Sequence, residues 1–169
     1  HGRPIVFIDL ADPEKRTADD LGYALKLLSR MQAFADVTLG MNLKEAQHVC
    51  RILDLEPPAN HLPTIEASAA GLREALGISC CVIHPRDGAA AAGEGGQAAF
   101  HGPFVREPKI STGAGDHFNA GFMLGRLLGL PLEQCLCTGV ATSGFYVRSA
   151  GAPTLNDLAE FISDLPDPE

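Results

Sequence analysis

The feature that most limits how this chain can fold is a repeated exchange between two hydrophobic periods. Short, β-rich apolar runs alternate with longer stretches whose apolar residues recur every three or four positions. Ile5 to Asp9 is a continuous apolar run, as expected of a strand covered on both faces in a parallel sheet. Thr17 to Phe34 reads as a helix with Leu21, Leu25, Leu28 and Met31 on one stripe, and Thr17 with Asp20 makes a variant capping box. Asp36 to Leu39 is a second strand, and a helix from Asn42 through Leu53 turns Ala46, Val49, Cys50 and Leu53 inward. Asp54 to Pro63 is a proline-bearing loop. Thr64 to Leu76 is a helix closed by Gly77, and Ile78 to His84 is the third strand. Ala89 to Phe100, small and glycine-rich, reads as a hairpin or bulging loop. Such alternation implies βαβ units: an α/β fold with a largely parallel sheet and helices on both faces.

Composition sets the outer limits. A chain of 169 residues, 46% hydrophobic, can bury a core, and one domain over 1–169 is the expectation. A net charge of −8 argues against a nucleic-acid surface, but a nucleotide needs only local positive potential. The five cysteines, among them Cys80-Cys81 and Cys135-x-Cys137, lack zinc-ligand spacing and read as reduced, buried thiols of a cytoplasmic protein. No apolar run reaches membrane-spanning length and no signal peptide is visible. The chain opens without Met, directly into a strand pattern, which points to a piece of a longer protein or a processed chain. The tail Pro166 to Glu169 is expected to fray.

The chemistry gathers in Lys109 to Phe122. Ser111 and Thr112 are helix-capping residue types, Gly113 and Gly115 bracket Ala114, and Asp116 follows directly. Phe118, Phe122, Leu124, Leu127 and Leu128 then recur at helical spacing. Glycines there let successive N–H groups converge, and a helix N-terminus adds partial positive charge, so the turn suits an anion such as a phosphate. Asp116 at its rim is placed to take a proton from an attacking hydroxyl. His117, one residue along the helix, points roughly 100° away and reads as an exposed first-turn histidine. A P-loop is set aside because no Lys follows Gly115. A dinucleotide fingerprint is set aside because Phe118 stands where its third glycine would be.

The stretch Ser111-Thr112-Gly113-Ala114-Gly115-Asp116-x-Phe118-x-Ala120-Gly121-Phe122 closely resembles the C-terminal signature of the ribokinase-type (PfkB) carbohydrate kinases. The resemblance implies a ribokinase-like three-layer α/β/α fold, here incomplete, without the N-terminal half and its lid. It assigns the anion hole to Gly113, Ala114 and Gly115, and the catalytic base to Asp116. ATP and Mg2+ are the implied cofactors, and a sugar-like alcohol the implied substrate. Asn42-x-x-Glu45, at a strand end feeding a helix, resembles the family's magnesium- and phosphate-handling motif; a plain capping box explains the same spacing. On the nucleotide side the resemblance places Thr112, Gly88, Gly139, Thr142 and Gly151. Gly88 matches the last glycine of a Thr-x-Gly-x-x-Gly strand end, of which Ile83 and Pro85 replace the first two members. Gly139 and Thr142 fall in the small-residue segment that lines the adenine pocket, and Gly151 in the turn before the last helix.

One departure bears on ions. The family commonly carries Asp two residues before the signature Thr, beside a monovalent-cation site. Ile110 stands there and cannot ligate through its side chain, so potassium activation is not implied. A homo-oligomer, or association with the missing half, is expected because a parallel sheet of three core strands leaves an apolar edge. A nucleoside or vitamin kinase of the same fold, and a non-catalytic nucleotide- or partner-binding fragment, fit the same residues.

Overall fold

The computed structural model describes residues 3–10 and 15–169; of the polar turn after the first strand, residues 11–14 lie outside the described residues. The elements in chain order are β1 (Ile5–Asp9), α1 (Ala18–Met31), β2 (Asp36–Met41), α2 (Leu43–Ile52), α3 (Leu62–Leu76), β3 (Cys80–Ile83), β4 (Gly88–Gly93), β5 (Gly96–His101), α4 (Ala114–Leu127), α5 (Leu132–Ser149) and α6 (Leu155–Ser163). The strands are ordered β1-β2-β3-β4-β5 in one sheet. The chain divides into two compact units, His1–Ile83 with Ala90–Gln97, and His84–Ala89 with Ala98–Glu169.

In the first unit β1 runs parallel to β2, with Ile5 opposite Asp36, and β2 runs parallel to β3, with Thr38 opposite Cys80. β4 lies antiparallel to β3, Cys80 facing Gly93, so the alanine-rich segment is a hairpin strand. Val37, Leu39, Met41, Val82 and Ile83 are sealed from solvent. One side chain that the hydrophobic pattern does not reveal ties the strand starts together. Gln32, just past α1, accepts the Val37 and Ser79 backbone N–H groups at 3.0 and 2.9 Å, and its amide donates to Ser79 Oγ at 2.7 Å. Arg3 adds an ion pair to Asp36 at 3.2 Å and a hydrogen bond to the Gln32 carbonyl.

Several expectations are corrected. β1 is only half-buried, because β2 is its one partner strand among the described residues. Met31 is 39% exposed although Leu21, Leu25 and Leu28 are buried. At about 100° per residue, position 31 has drifted roughly 80° from the position of Leu21 on the helical wheel. α3 begins at Leu62, inside the expected loop, because Pro63 is tolerated in a first helical turn. Leu127 and Leu128 are 70% and 66% exposed, so the inward face at the end of α4 is made by glycine instead. The tail is tethered rather than frayed: the Glu169 N–H donates to the Phe104 carbonyl at 3.1 Å, and its carboxylate accepts the Arg106 N–H.

The second unit is built on the pairing of α4 with α5. A Cβ on Gly121 would lie 2.5 Å from the Thr138 carbonyl oxygen, one on Gly125 would lie 2.9 Å from Cys135 Cα, and one on Gly139 would lie 2.7 Å from the Phe118 ring. Partners that step backward along α5 as α4 advances mean that the helices are antiparallel. Gly129 does not extend this row. It takes φ +70° beyond the end of α4, with open space around it, and serves as the left-handed stop.

Adding a methyl group therefore has opposite consequences at two glycines. Gly121→Ala should lower stability by about 1–3 kcal/mol through overpacking. Gly71→Ala, in α3 with nothing within 4 Å of the new atom, should raise it by roughly 0.5–1 kcal/mol. Thermal or urea unfolding of the two variants reads the contrast; equal effects would mean that the seam is loose.

Candidate active site

The site starts from one backbone angle. Gly113 is the N-cap of α4 at φ +88°, ψ 0°, a left-handed conformation that glycine takes without strain. Neither Ser111 nor Thr112 caps the helix as their type led us to expect: the α4 start has no side-chain cap. α3 and α5 likewise lack one, whereas at the starts of α1, α2 and α6 Thr17, Asn42 and Thr154 each cap with a side-chain oxygen. The left-handed residue is Gly113 and not Gly115, whose backbone is ordinary and whose small size serves a neighbour instead. A Cβ at Gly115 would meet His84 Cε1 at 3.4 Å. Gly113, Ala114 and Gly115 are half-buried and Asp116 is exposed in the first turn, so the turn opens to solvent with a carboxylate beside it.

Three side chains brace this turn, none of them assigned to it from the sequence. The Tyr146 hydroxyl, from α5, donates to the Thr112 carbonyl at 2.9 Å. His117 Nδ1 lies 2.8 Å from the Gly113 carbonyl oxygen. An oxygen of that kind only accepts, so Nδ1 carries the proton. The His117 and Tyr146 rings stack at 3.6 Å between centroids and 12° between planes. His117 is thus half-buried and engaged, not the exposed residue anticipated. Beneath Gly115, His84 packs on Phe118 with centroids 4.6 Å apart, and its Nε2 is sealed from solvent with no hydrogen-bond partner. The residue as a whole keeps some exposure through other atoms, but burial of the ring holds its pKa down to about 4, partly opposed by a bond to its own carbonyl.

The remaining anticipated residues are scattered. Gly88 opens β4, buried, where a Cβ on Gly102 would approach its backbone at 3.5 Å. Gly139 and Thr142 are buried in the seam, Gly139 against Phe118 and the Thr142 hydroxyl donating to the Thr138 carbonyl at 2.7 Å. Gly151 is exposed in a turn closed by Ser149 Oγ, and the left-handed residue at that helix end is Ala150. Arg86 rests over the Phe104 ring at 5.7 Å, and Ile110 is half-buried. Asn42 and Glu45 belong to the first unit, and there the capping box is real. The Glu45 N–H donates to Asn42 Oδ1 at 3.0 Å, and the Asn42 N–H donates to Glu45 Oε2 at 2.8 Å. The expected buried thiols are present: Cys50, Cys80, Cys81 and Cys135 are buried, and Cys137 is half-buried.

Comparison with known proteins decides the family. The prokaryotic ketohexokinase family model matches residues 3–165. This chain belongs to the prokaryotic ketohexokinase family. It is 27% identical to the ketohexokinase of Haloferax volcanii over 158 residues, which make up 94% of this chain and 41% of that protein. The chain thus spans less than half the length of this relative. Among solved structures, ribokinase from Thermotoga maritima superposes with a TM-score of 0.68 at 21% identity, over 94% of this chain and 49% of that one. A structure from Escherichia coli in complex with ATP and Mg2+ gives a TM-score of 0.62 at 22% identity, over 90% and 44%. These likenesses carry the fold: ribokinase-like α/β, represented here in part, as the signature implied. The prokaryotic ketohexokinase family lies among the PfkB-type carbohydrate kinases, so the recognition resting on Ser111 to Phe122 holds for the whole matched span. No helix among the described residues is long and apolar enough to cross a membrane.

His84 makes the unit's stability depend on pH. The folded protein keeps the ring neutral down to about pH 4, whereas the unfolded chain protonates near its ordinary value of 6.5. The unfolded state binds the extra proton between those values, so stability falls as pH drops through that window and levels off below it, by roughly 3 kcal/mol in all. His84→Phe should lose correspondingly less stability between pH 7 and pH 4.5 in urea titrations. Parallel profiles for variant and wild type would refute this.

Proposed function

We propose that this chain is the nucleotide-side, catalytic part of an ATP-dependent carbohydrate kinase. It transfers the γ-phosphoryl group of ATP to a hydroxyl of a sugar, with a ketohexose as the first acceptor to try. The reading rests above all on the uncapped start of α4, where a left-handed glycine and an adjoining exposed carboxylate stand together. A helix N-terminus left open by its own side chains has N–H groups and dipole available for an anion.

In this reading the Gly113 and Gly115 amides stabilise charge on the phosphoryl group as it passes between oxygens, while the Ala114 N–H closes the turn on the Ser111 carbonyl at 3.2 Å. Asp116 accepts the proton of the attacking hydroxyl late in transfer, which a loose transition state requires of a modest base. Mg2+, when bound with the nucleotide, neutralises charge on the phosphates. Asn42 and Glu45 fit it as hard oxygen donors, and such an ion is ordinarily held by one or two carboxylates together with substrate phosphates. Their mutual hydrogen bonds keep both side chains in one orientation. Gly88, Thr112 and Gly151 remain proposed for the nucleotide side through their backbone. Gly139 and Thr142 would contribute by setting the helix behind it. With Ile110 in place of a carboxylate, exchange of sodium for potassium should leave turnover within about twofold.

The half-buried edge β1, together with Tyr23 and Phe34 exposed at 63% and 79%, supports association with the rest of a longer kinase or with a second copy. Light scattering on residues 1–169 should show oligomers, and that piece alone, which spans 41% of the Haloferax volcanii relative, should turn over no sugar.

In the complete polypeptide, Asp116→Asn should keep ATP affinity within a few-fold and lower kcat by about 10²–10⁴. Coupled ADP-release kinetics read both quantities, and near-normal turnover in that variant would remove Asp116 as the base.

A further inference from the structure

We infer that Tyr146 and His117 are positioning residues that hold the α4 turn so that its free amides, those of Gly113 and Gly115, face a bound phosphoryl group; this inference rests on the reading of that turn as an anion site. In a trans peptide the C=O and N–H point in opposite directions within one plane. The Tyr146 hydroxyl holds the Thr112 carbonyl at 2.9 Å, so the N–H of the same peptide plane, that of Gly113, is directed away from Tyr146. His117 Nδ1 holds the next carbonyl, that of Gly113, at 2.8 Å, beside the helical bond that this oxygen accepts from the His117 N–H at 3.1 Å. The N–H of that peptide plane, Ala114, donates to the Ser111 carbonyl at 3.2 Å, so His117 fixes the fold of the turn while Tyr146 directs the free Gly113 N–H. Both carbonyls preceding the helix are thereby kept engaged. An oxygen swung toward the site would repel a phosphate, and the two side chains prevent it.

The stacked rings make the two restraints one device, since neither side chain can turn without breaking the 3.6 Å contact. Tyr146 also explains why the turn needs glycine on grounds other than φ. A Cβ at Gly113 would lie 3.2 Å from the Tyr146 oxygen, so the hydroxyl occupies the room a side chain would take. The segment before the turn is tied to the same helix, the Lys109 N–H donating to the Val147 carbonyl at 2.8 Å.

A packing role alone would change stability and leave phosphate recognition intact, so the experiment separates the two. In the complete polypeptide, Tyr146→Phe keeps the ring and removes the hydroxyl. It should lower kcat about 5- to 10-fold, the scale of one lost hydrogen bond, while the KM for the sugar stays within twofold. His117→Ala should lower kcat comparably, and His117→Asn should recover most of it, because a carboxamide N–H on a short stem can still reach the Gly113 carbonyl. Calorimetry with Mg2+ and either ATP or adenosine supplies a second readout: Tyr146→Phe should weaken ATP several-fold and leave adenosine unchanged. Wild-type kcat in both Tyr146→Phe and His117→Ala, no rescue by Asn, or an unchanged ATP-to-adenosine ratio would overturn the inference. If the wild type binds ATP yet phosphorylates no hydroxyl, the kinase reading falls and the affinity ratio alone decides the brace. A wild type that binds no ATP overturns both.

Discussion

The close approach of α4 to α5 is the constraint on which the second compact unit of this chain depends. Gly121, Gly125 and Gly139 let two antiparallel helices meet at distances that any side chain would prevent. That approach brings Tyr146, near the end of α5, to the start of α4. Each glycine in a helix interior costs about 1 kcal/mol in intrinsic propensity relative to alanine. The return is burial of Phe118 and Phe122 and a fixed register between the helices. The register places a hydroxyl at the Thr112 carbonyl and stacks Tyr146 on His117. A turn of three small residues thus acquires rigidity from a neighbouring helix rather than from its own side chains.

α4 shares the absence of a side-chain cap with α3 and α5, and differs from them in the left-handed glycine at its start and the exposed carboxylate beside it. Thr17, Asn42 and Thr154 each satisfy a first-turn N–H, and the last two form reciprocal capping boxes. The uncapped start of α4 retains N–H groups able to receive an external acceptor. His84 adds a complementary element: a neutral ring, held so by burial, lies under Gly115 and brings no competing charge at neutral pH.

Much of the architecture was legible before any coordinates, because hydrophobic period and glycine punctuation act locally. The parallel strands, the hairpin over 89–100, the side-chain cap at Thr17, the capping box at Asn42 and the αL stop at Gly77 each follow from a few neighbouring residues. The signature Ser111 to Phe122 likewise carried the family. What escaped depends on register across long separations. Nothing local to Tyr146 announces Thr112, 34 positions away, and nothing local to Gln32 announces Ser79. The exposure of Leu127, Leu128 and Met31 escaped because apolar identity reports a preference for burial, whereas the rotation of each helix against its neighbour decides which residues are granted it.

The central claim is that the N-terminal turn of α4 receives the phosphoryl group. Backbone amide NMR of the complete polypeptide, titrated with ATP and Mg2+, addresses it directly. Saturable shifts of the Gly113, Gly115 and Asp116 amides that adenosine does not reproduce are expected. Saturable ATP binding that leaves those three amides unmoved would contradict it.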